Sequence, residues 1–183
     1  ATGAVTLPES MEIDLGSVAK GYTGQLAAQM LREHGVQSAL LNLGGNVQTV
    51  GAKPDGSPWQ IGIKDPQGED AMMVLSVEDQ AVVTSGGYER YFEQDGQTYW
   101  HIMDPSTGHP ADSGLISVTI VGDEGVVCDG LSTALFVMGL EKAADLWAQS
   151  GDFEAVFVTA SGEVYITEGL RDHFALTERY ADT

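Results

Sequence analysis

The chain has 183 residues, and its 27 Asp and Glu against 8 Lys and Arg give a formal net charge of −19 at pH 7. This acidity excludes a nucleic-acid-binding surface of the usual kind, because a phosphate backbone is bound by clustered Lys and Arg. Apolar residues make up 43% of the chain, which suits a buried core and argues against disorder. The one cysteine, Cys128, excludes an internal disulfide and a cysteine-rich zinc site.

The first half of the chain predicts one helix followed by a series of strands. Residues 17–34 carry apolar side chains at three- and four-residue steps, which is typical of an amphipathic helix, and Gly35 is placed to end it. The side chains on this apolar face are Val18, Tyr22, Leu26, Met30 and Leu31. Strands are predicted at 39–43, 46–51, 59–64, 72–78 and 80–84, and a hairpin at 88–101 around Asp95-Gly96.

The second half predicts two consecutive helices between strands. A polar loop over 102–114 leads into a strand at 115–121. Helices are predicted over 125–138 and 140–150, with Gly139 between them, and a last hairpin over 154–159 and 163–167 precedes an acidic tail that we expect to fray. Because strands follow one another without strict alternation with helices, we expect a single α+β domain over 1–183, with mixed or antiparallel sheets and a few packed helices.

The segment at 14–21 could bind an anion at the start of the first helix. Asp14 lies just before the helix, where a carboxylate can cap free N–H groups, and Lys20 lies one turn in. A helix N-terminus that carries a lysine suits a phosphate group. The segment is also consistent with a capped helix that has an exposed lysine.

A second candidate site lies on the helix predicted over 125–138. Asp129 and Thr133 are four residues apart, so the carboxylate and the hydroxyl share one helical face. Two hard oxygen donors at this spacing suit Mg²⁺. The alternative is that Asp129 interacts with the helix dipole and Thr133 bonds back to a carbonyl. Because the helix is mostly apolar, Asp129 would be buried and would need a partner.

A third candidate is His101, at the end of a predicted strand and before a loop rich in Pro and Gly. A histidine in this position could donate to a ligand or move a proton. It is equally consistent with a surface histidine next to a turn that Asp104 caps.

The order of these motifs resembles one family, the FAD:protein FMN transferases of the ApbE type. The motifs span nearly the whole chain, and several in the right order are far more specific than any one alone. They are Asp14-Leu15-Gly16-Ser17-Val18-Ala19-Lys20-Gly21-Tyr22, Leu43-Gly44-Gly45-Asn46, Thr84-Ser85-Gly86, the segment from His101 to Pro110, and Asp129-Gly130-Leu131-Ser132-Thr133-Ala134.

The resemblance implies an ApbE-like fold and Mg²⁺-dependent cleavage of the FAD pyrophosphate. FMN would pass as a phosphodiester to a threonine hydroxyl of an acceptor flavoprotein, and AMP would leave. Matched residue by residue, the resemblance implies metal ligation by the side chains of Asp129 and Thr133 and by the carbonyl of Ser17. It implies FAD contacts at Asp14 and Lys20.

His101 matches the family histidine near the transferring phosphate, so it would contact FAD and act in catalysis. One departure is Gly130, where the family commonly has alanine. Two alternatives use the same fold: an Mg²⁺-dependent FAD pyrophosphatase, in which water attacks, and a non-catalytic flavin-binding remnant.

The resemblance also implies features outside these residues. Family members usually carry an upstream segment that supplies part of the flavin pocket and often an export signal or lipid anchor. We therefore expect residues 1–183 to be the C-terminal part of a longer architecture. The expected location is extracytoplasmic, either periplasmic or as a membrane-anchored lipoprotein, with membrane contact only through such an anchor.

Overall fold

The computed structural model describes residues 3–88 and 91–181. The first part of the chain forms helix α1 (Ala19–Glu33) and seven strands: β1 (Ala39–Asn42), β2 (Asn46–Val50), β3 (Trp59–Lys64), β4 (Ala71–Val77), β5 (Ala81–Gly86), β6 (Tyr91–Gln94) and β7 (Gln97–Trp100). The later part forms β8 (Met103–Asp104), β9 (His109–Pro110), β10 (Leu115–Gly122), α2 (Gly125–Met138), α3 (Leu140–Ser150), β11 (Glu154–Thr159), β12 (Val164–Ile166), a 3₁₀ turn (Glu168–Leu170), β13 (Phe174–Leu176) and α4 (Glu178–Ala181).

A six-stranded antiparallel sheet in the order β1-β2-β5-β10-β11-β12 forms the centre of the fold. Its middle strands are buried on both faces, because neighbouring residues in a strand point to opposite sides. Val83 and Ile120 pack towards the helices, whereas Val82 and Val121 pack towards the antiparallel sheet β13-β4-β3. The molecule is thus layered as helices, large sheet and small sheet, which confirms the predicted α+β class with antiparallel sheets.

Helix α1 packs on α2 and β2 through its smallest residues, which corrects the predicted apolar face. The buried residues of α1 are Gly21, Gly24 and Ala28. Tyr22, Leu26 and Met30, which the sequence periodicity selects, are 55%, 41% and 60% exposed. A larger side chain at Gly21 would collide with α2, and one at Gly24 would collide with Gln48 of β2.

The C-terminal tail, which was predicted to fray, is part of the small sheet. Phe174 pairs with Leu75 of β4, and Leu170 is buried in the core between the two sheets. The hydroxyl of Tyr180 donates to the Asp65 carboxylate. The prediction of a frayed tail was wrong. The tail is acidic, but its apolar side chains pack on the small sheet and hold it beside β4.

The polar loop predicted at 102–114 contains a two-residue ladder between β8 and β9. Gly108 has φ +71°, a left-handed conformation that glycine adopts without a steric penalty and that closes this short turn. In the part of the chain that the structure describes, no helix has both the length and the apolar character needed to span a bilayer.

Candidate functional site

The candidate site lies where the start of α1 crosses α2. The backbone N–H of Gly21 donates to Asp129 Oδ2 at 2.7 Å. A Cβ on Gly21 would lie 2.6 Å from Asp129 Cβ and would also collide with the carbonyl oxygen of Gly125. The crossing is therefore so close that a backbone amide of one helix reaches a carboxylate of the other.

Asp129 is a buried carboxylate, with 4% of its surface exposed. Within the described ranges, the Gly21 N–H is the one donor recorded to this side chain, and no Lys or Arg pairs with it. Burying a charge is costly unless hydrogen bonds or an opposite charge compensate it. One amide satisfies only part of the acceptor capacity of a carboxylate, so the site suits a cation.

The carbonyl of Ser17 is left available by the same hydrogen bond. In an α-helix the N–H of residue 21 would donate to the carbonyl of residue 17. Here that N–H donates to Asp129, whereas the N–H of Ala19 donates to Leu15 O and that of Tyr22 to Val18 O, both at 2.9 Å. Ser17 lies one turn before Gly21, and within residues 3–88 and 91–181 no backbone donor is bonded to its carbonyl.

The Thr133 hydroxyl lies in a small cluster of hydroxyl groups between α2 and β5. Ser85 Oγ is 3.1 Å from Thr133 Oγ1 and 2.8 Å from Ser132 Oγ. Ser132 Oγ donates to the main-chain carbonyl of Asp129 at 2.9 Å. The recorded partner of Thr133 is thus on a neighbouring strand, whereas it is Ser132 that bonds back along the helix.

Lys20 reaches from α1 to the glycine turn between β1 and β2. Its Nζ donates to the carbonyl of Gly44 at 3.3 Å, which brings the motif at 43–46 beside the start of α1. Asp14 is exposed and accepts the N–H of Gly16 at 2.6 Å, so it caps the turn before the helix. Lys20 immediately precedes Gly21 at the crossing, whereas the hydrogen bond of Asp14 lies within its own turn.

His101 lies at an exposed position directly after β7. Its neighbour Trp100 packs edge-on against Phe136 of α2, with ring centroids 6.4 Å apart. Asp104, in the following turn, accepts the N–H and the hydroxyl of Ser106, and these hydrogen bonds hold the pKa of its carboxyl below the usual value. The turn capped by Asp104 is therefore present, three residues after His101.

Cys128 precedes Asp129 but does not take part in the site. Its side chain is buried in the core between the helices and the large sheet. Burial raises the pKa of the thiol to about 12, with further contributions from nearby carboxylates. The thiol is therefore protonated at neutral pH, as expected for a small core residue.

The family model of the ApbE family matches residues 3–157, which is most of the chain. The chain belongs to the ApbE family. A FAD:protein FMN transferase of Klebsiella pneumoniae (strain 342) is 41% identical over 167 residues, which cover 90% of this chain and 51% of that protein. The FAD:protein FMN transferase of Treponema pallidum (strain Nichols) is 40% identical over 172 residues, which cover 88% of this chain and 48% of that protein.

Solved ApbE structures share the fold. The ApbE protein of Thermotoga maritima MSB8 superposes with a TM-score of 0.82 at 39% identity, covering 88% of this chain and 53% of that one. The Pseudomonas stutzeri flavinyl transferase ApbE, in its apo form, superposes with a TM-score of 0.73 at 37% identity. The match covers 88% of this chain and 51% of that one. These matches confirm the resemblance and the fold class, and the chain spans about half the length of the curated relatives it matches.

The types of oxygen donor at this crossing suit a hard cation. Among the described residues there is no group of three or more His, Cys, Asp or Glu that could hold a metal. A site at this crossing would instead use one carboxylate, from Asp129, with the neutral oxygens of Thr133 and Ser17. Carboxylate, hydroxyl and carbonyl oxygens are the ligands that Mg²⁺ takes, usually together with waters and substrate phosphates.

Sequence reasoning missed three residues of this site: Gly21, Ser85 and Ser132. Each lies inside a motif that carried the family resemblance, but no role was assigned to it. The available signal was a glycine one turn into a helix, where it lowers helix stability, since such a position indicates close approach of another group.

Proposed function

We propose that this chain provides the metal- and pyrophosphate-binding part of an Mg²⁺-dependent FAD:protein FMN transferase. FMN would move from FAD to a threonine hydroxyl of an acceptor flavoprotein, and AMP would be released. The observation that supports this most is the Asp129 carboxylate, which is buried at the helix crossing and, among the described residues, accepts one amide N–H. Its unbalanced charge is what a divalent cation would compensate.

The proposed reaction exchanges one phosphorus–oxygen bond for another. The threonine oxygen forms a bond to the FMN phosphorus, the pyrophosphate bond breaks, and its electrons leave with AMP. The proton of the hydroxyl must go to a base. Mg²⁺, when bound, supplies positive charge that offsets the negative charge developing on the pyrophosphate.

The residues of this chain would position the pyrophosphate and manage the proton. Asp129, Thr133 and the Ser17 carbonyl would hold the cation. Lys20, at the N-terminal end of α1 and bonded to Gly44, would attract the phosphates, because a helix N-terminus favours negative charge. His101 is exposed after β7, where its imidazole could accept the hydroxyl proton or donate to the phosphate. Asp14 would contact FAD beside this surface.

The metal proposal is tested by Mn²⁺ binding, followed by electron paramagnetic resonance on the unaltered chain. Asp129→Asn keeps the size of the side chain and removes its charge, so we expect Mn²⁺ binding to be lost. Asp145→Asn is the matched control, since Asp145 is exposed on α3. A folded chain that binds no Mn²⁺, or binds it equally well with Asn at 129, would contradict the proposal.

The transfer itself is tested with FAD, Mg²⁺ and an acceptor peptide that carries a threonine. We expect AMP in the supernatant and flavin fluorescence on the peptide, both abolished by Asp129→Asn. Lys20→Ala should mainly raise the KM for FAD, whereas His101→Gln should mainly lower kcat. AMP release without a labelled peptide would contradict the transferase activity and favour an FAD pyrophosphatase. If a folded chain binds Mn²⁺ but releases no AMP, the result would favour a non-catalytic flavin-binding remnant.

A further inference from the structure

The hydroxyl cluster beside Asp129 contains more donors and acceptors than metal binding alone requires. Ser85 lies on β5, whereas Ser132 and Thr133 are neighbours on α2. Three contacts join them in a line: Thr133 to Ser85 at 3.1 Å, Ser85 to Ser132 at 2.8 Å, and Ser132 to the carbonyl of Asp129 at 2.9 Å. Each hydroxyl has one proton to donate, so once the donor in one contact is known, the donors in the other contacts follow.

The direction of the chain is set at the carbonyl end. A carbonyl oxygen only accepts, so Ser132 must donate its proton to Asp129 O. Ser132 Oγ therefore accepts in its contact with Ser85, and Ser85 is the donor. With its proton used there, Ser85 accepts in its contact with Thr133, and Thr133 is the donor.

The Thr133 hydroxyl thus points its proton at β5. The remaining positions on its oxygen are lone pairs, which are what a cation needs from a neutral ligand. Without an acceptor on β5, a threonine in a helix would turn its proton towards a main-chain carbonyl one turn earlier, and the lone pairs would turn with it.

We propose that Ser85 is a positioning residue, which fixes the rotation of the Thr133 hydroxyl so that its oxygen faces the metal as an acceptor. The inference rests on the proposed metal site and adds a residue to it. Ser85 does not itself touch the cation. Groups that orient a metal ligand in this way typically change metal affinity about 10- to 100-fold when removed.

The neighbouring strand position provides a matched control. Thr84 Oγ1 is 2.8 Å from Thr119 Oγ1 on β10, so it is also half of a hydroxyl pair between elements. Because successive residues of a strand face opposite sides of the sheet, Thr84 points away from the α2 face that Ser85 contacts. Thr84→Ala therefore removes a hydroxyl and a hydrogen bond from β5 without touching the Ser85 chain.

The test is a titration of the chain with Mn²⁺, read by electron paramagnetic resonance, with urea unfolding of the same samples. We expect Ser85→Ala to weaken Mn²⁺ binding about 10- to 100-fold. Ser85→Thr, which restores a hydroxyl, should recover most of the affinity, and Thr84→Ala should bind as the unaltered chain does. A general structural defect would lower stability and affinity together and would not be rescued by threonine.

A double substitution separates positioning from a direct role. If Ser85 acts only through Thr133, then Ser85→Ala should have no further effect on Mn²⁺ affinity once Thr133→Val is present. Equal binding by the unaltered chain and Ser85→Ala, or fully additive losses in the double variant, would overturn the positioning role while the metal site stands. Absence of Mn²⁺ binding by the unaltered chain would overturn both.

Discussion

The two faces of α1 differ in a way that hydrophobicity does not explain. The buried face, which lies against α2 and β2, consists of Gly21, Gly24 and Ala28, whereas the face towards solvent carries Tyr22 and Met30. In most amphipathic helices the larger apolar side chains are buried. In α1 glycines stand where the helix approaches α2 and β2 most closely, so steric limits, and not the burial of apolar area, account for the orientation of the helix.

Gly21→Ala should have the largest effect, because it removes the close approach. The new Cβ would lie 2.6 Å from Asp129 Cβ and would collide with the Gly125 carbonyl, so the helices must separate. We expect the free energy of unfolding to fall by about 1–3 kcal/mol, together with loss of Mn²⁺ binding. Urea unfolding and a Mn²⁺ titration measure the two. Unchanged stability would mean that the crossing tolerates a methyl group. It would contradict the conclusion that close approach decides which face of α1 is buried.

Gly130→Ala should act in the opposite direction at the same crossing. Within the part of the chain that the structure describes, its Cβ would meet Val18 Cγ1 at 3.4 Å, which is ordinary van der Waals contact. Alanine favours a helix over glycine by about 0.5–1 kcal/mol, so the free energy of unfolding should rise by that amount. Thermal unfolding followed by circular dichroism would detect this, and a loss of stability would show that the crossing is tight beyond Gly21.

The far end of α1 is held by a weaker contact, whose strength should depend on pH. Asp79 accepts the N–H of Gly51 and pairs with Arg32 at 2.7 Å, and these interactions hold the pKa of Asp79 below its usual value. The resulting stability is present above the unfolded-state pKa and is lost as pH falls through the folded-state pKa.

Asp79→Asn should therefore cost about 0.5 kcal/mol at pH 7, because both charged side chains are largely exposed. Asparagine tolerates the left-handed backbone of this position, where φ is +55°. The difference in the free energy of unfolding between the variant and the unaltered chain should become smaller below about pH 4. Urea unfolding at pH 7 and pH 3 measures it, and a difference that grows in acid would contradict the assignment.

Met30→Gln on the outer face should have the smallest effect. Because Met30 is 60% exposed, little apolar surface is lost, and the free energy of unfolding should change by less than about 0.5 kcal/mol. Urea unfolding compares it with Gly21→Ala. A loss above about 1 kcal/mol would show that the outer face is packed against something in solution.

Local patterns predicted most of the fold. Helix α2 begins at Gly125 and ends before Gly139 as the sequence indicates, because its apolar residues and the glycine that follows act within a few residues. The face of α1 and the packing of the tail could not be predicted, because both depend on partners far along the chain, Asp129 and β4.

The candidate site divides in the same way. Asp129 and Thr133 are recognisable as a pair because their spacing is one helical turn. Their partners Gly21 and Ser85 lie 108 and 48 residues away. A glycine one turn into a helix indicates that some group approaches it closely, but the local sequence does not identify that group as Asp129. The extracytoplasmic location and the placement of residues 1–183 within a longer architecture stay predictions.

The hydrogen bond from Gly21 to Asp129 spans 108 residues of the chain. Closing so long a loop is entropically unfavourable and belongs to the slow, non-local steps of folding. The proposed cation pocket would therefore be completed only when α1 docks on α2. Any ion that occupies the pocket would act as a clamp between the two ends of that loop, raising the melting temperature in proportion to the logarithm of its concentration.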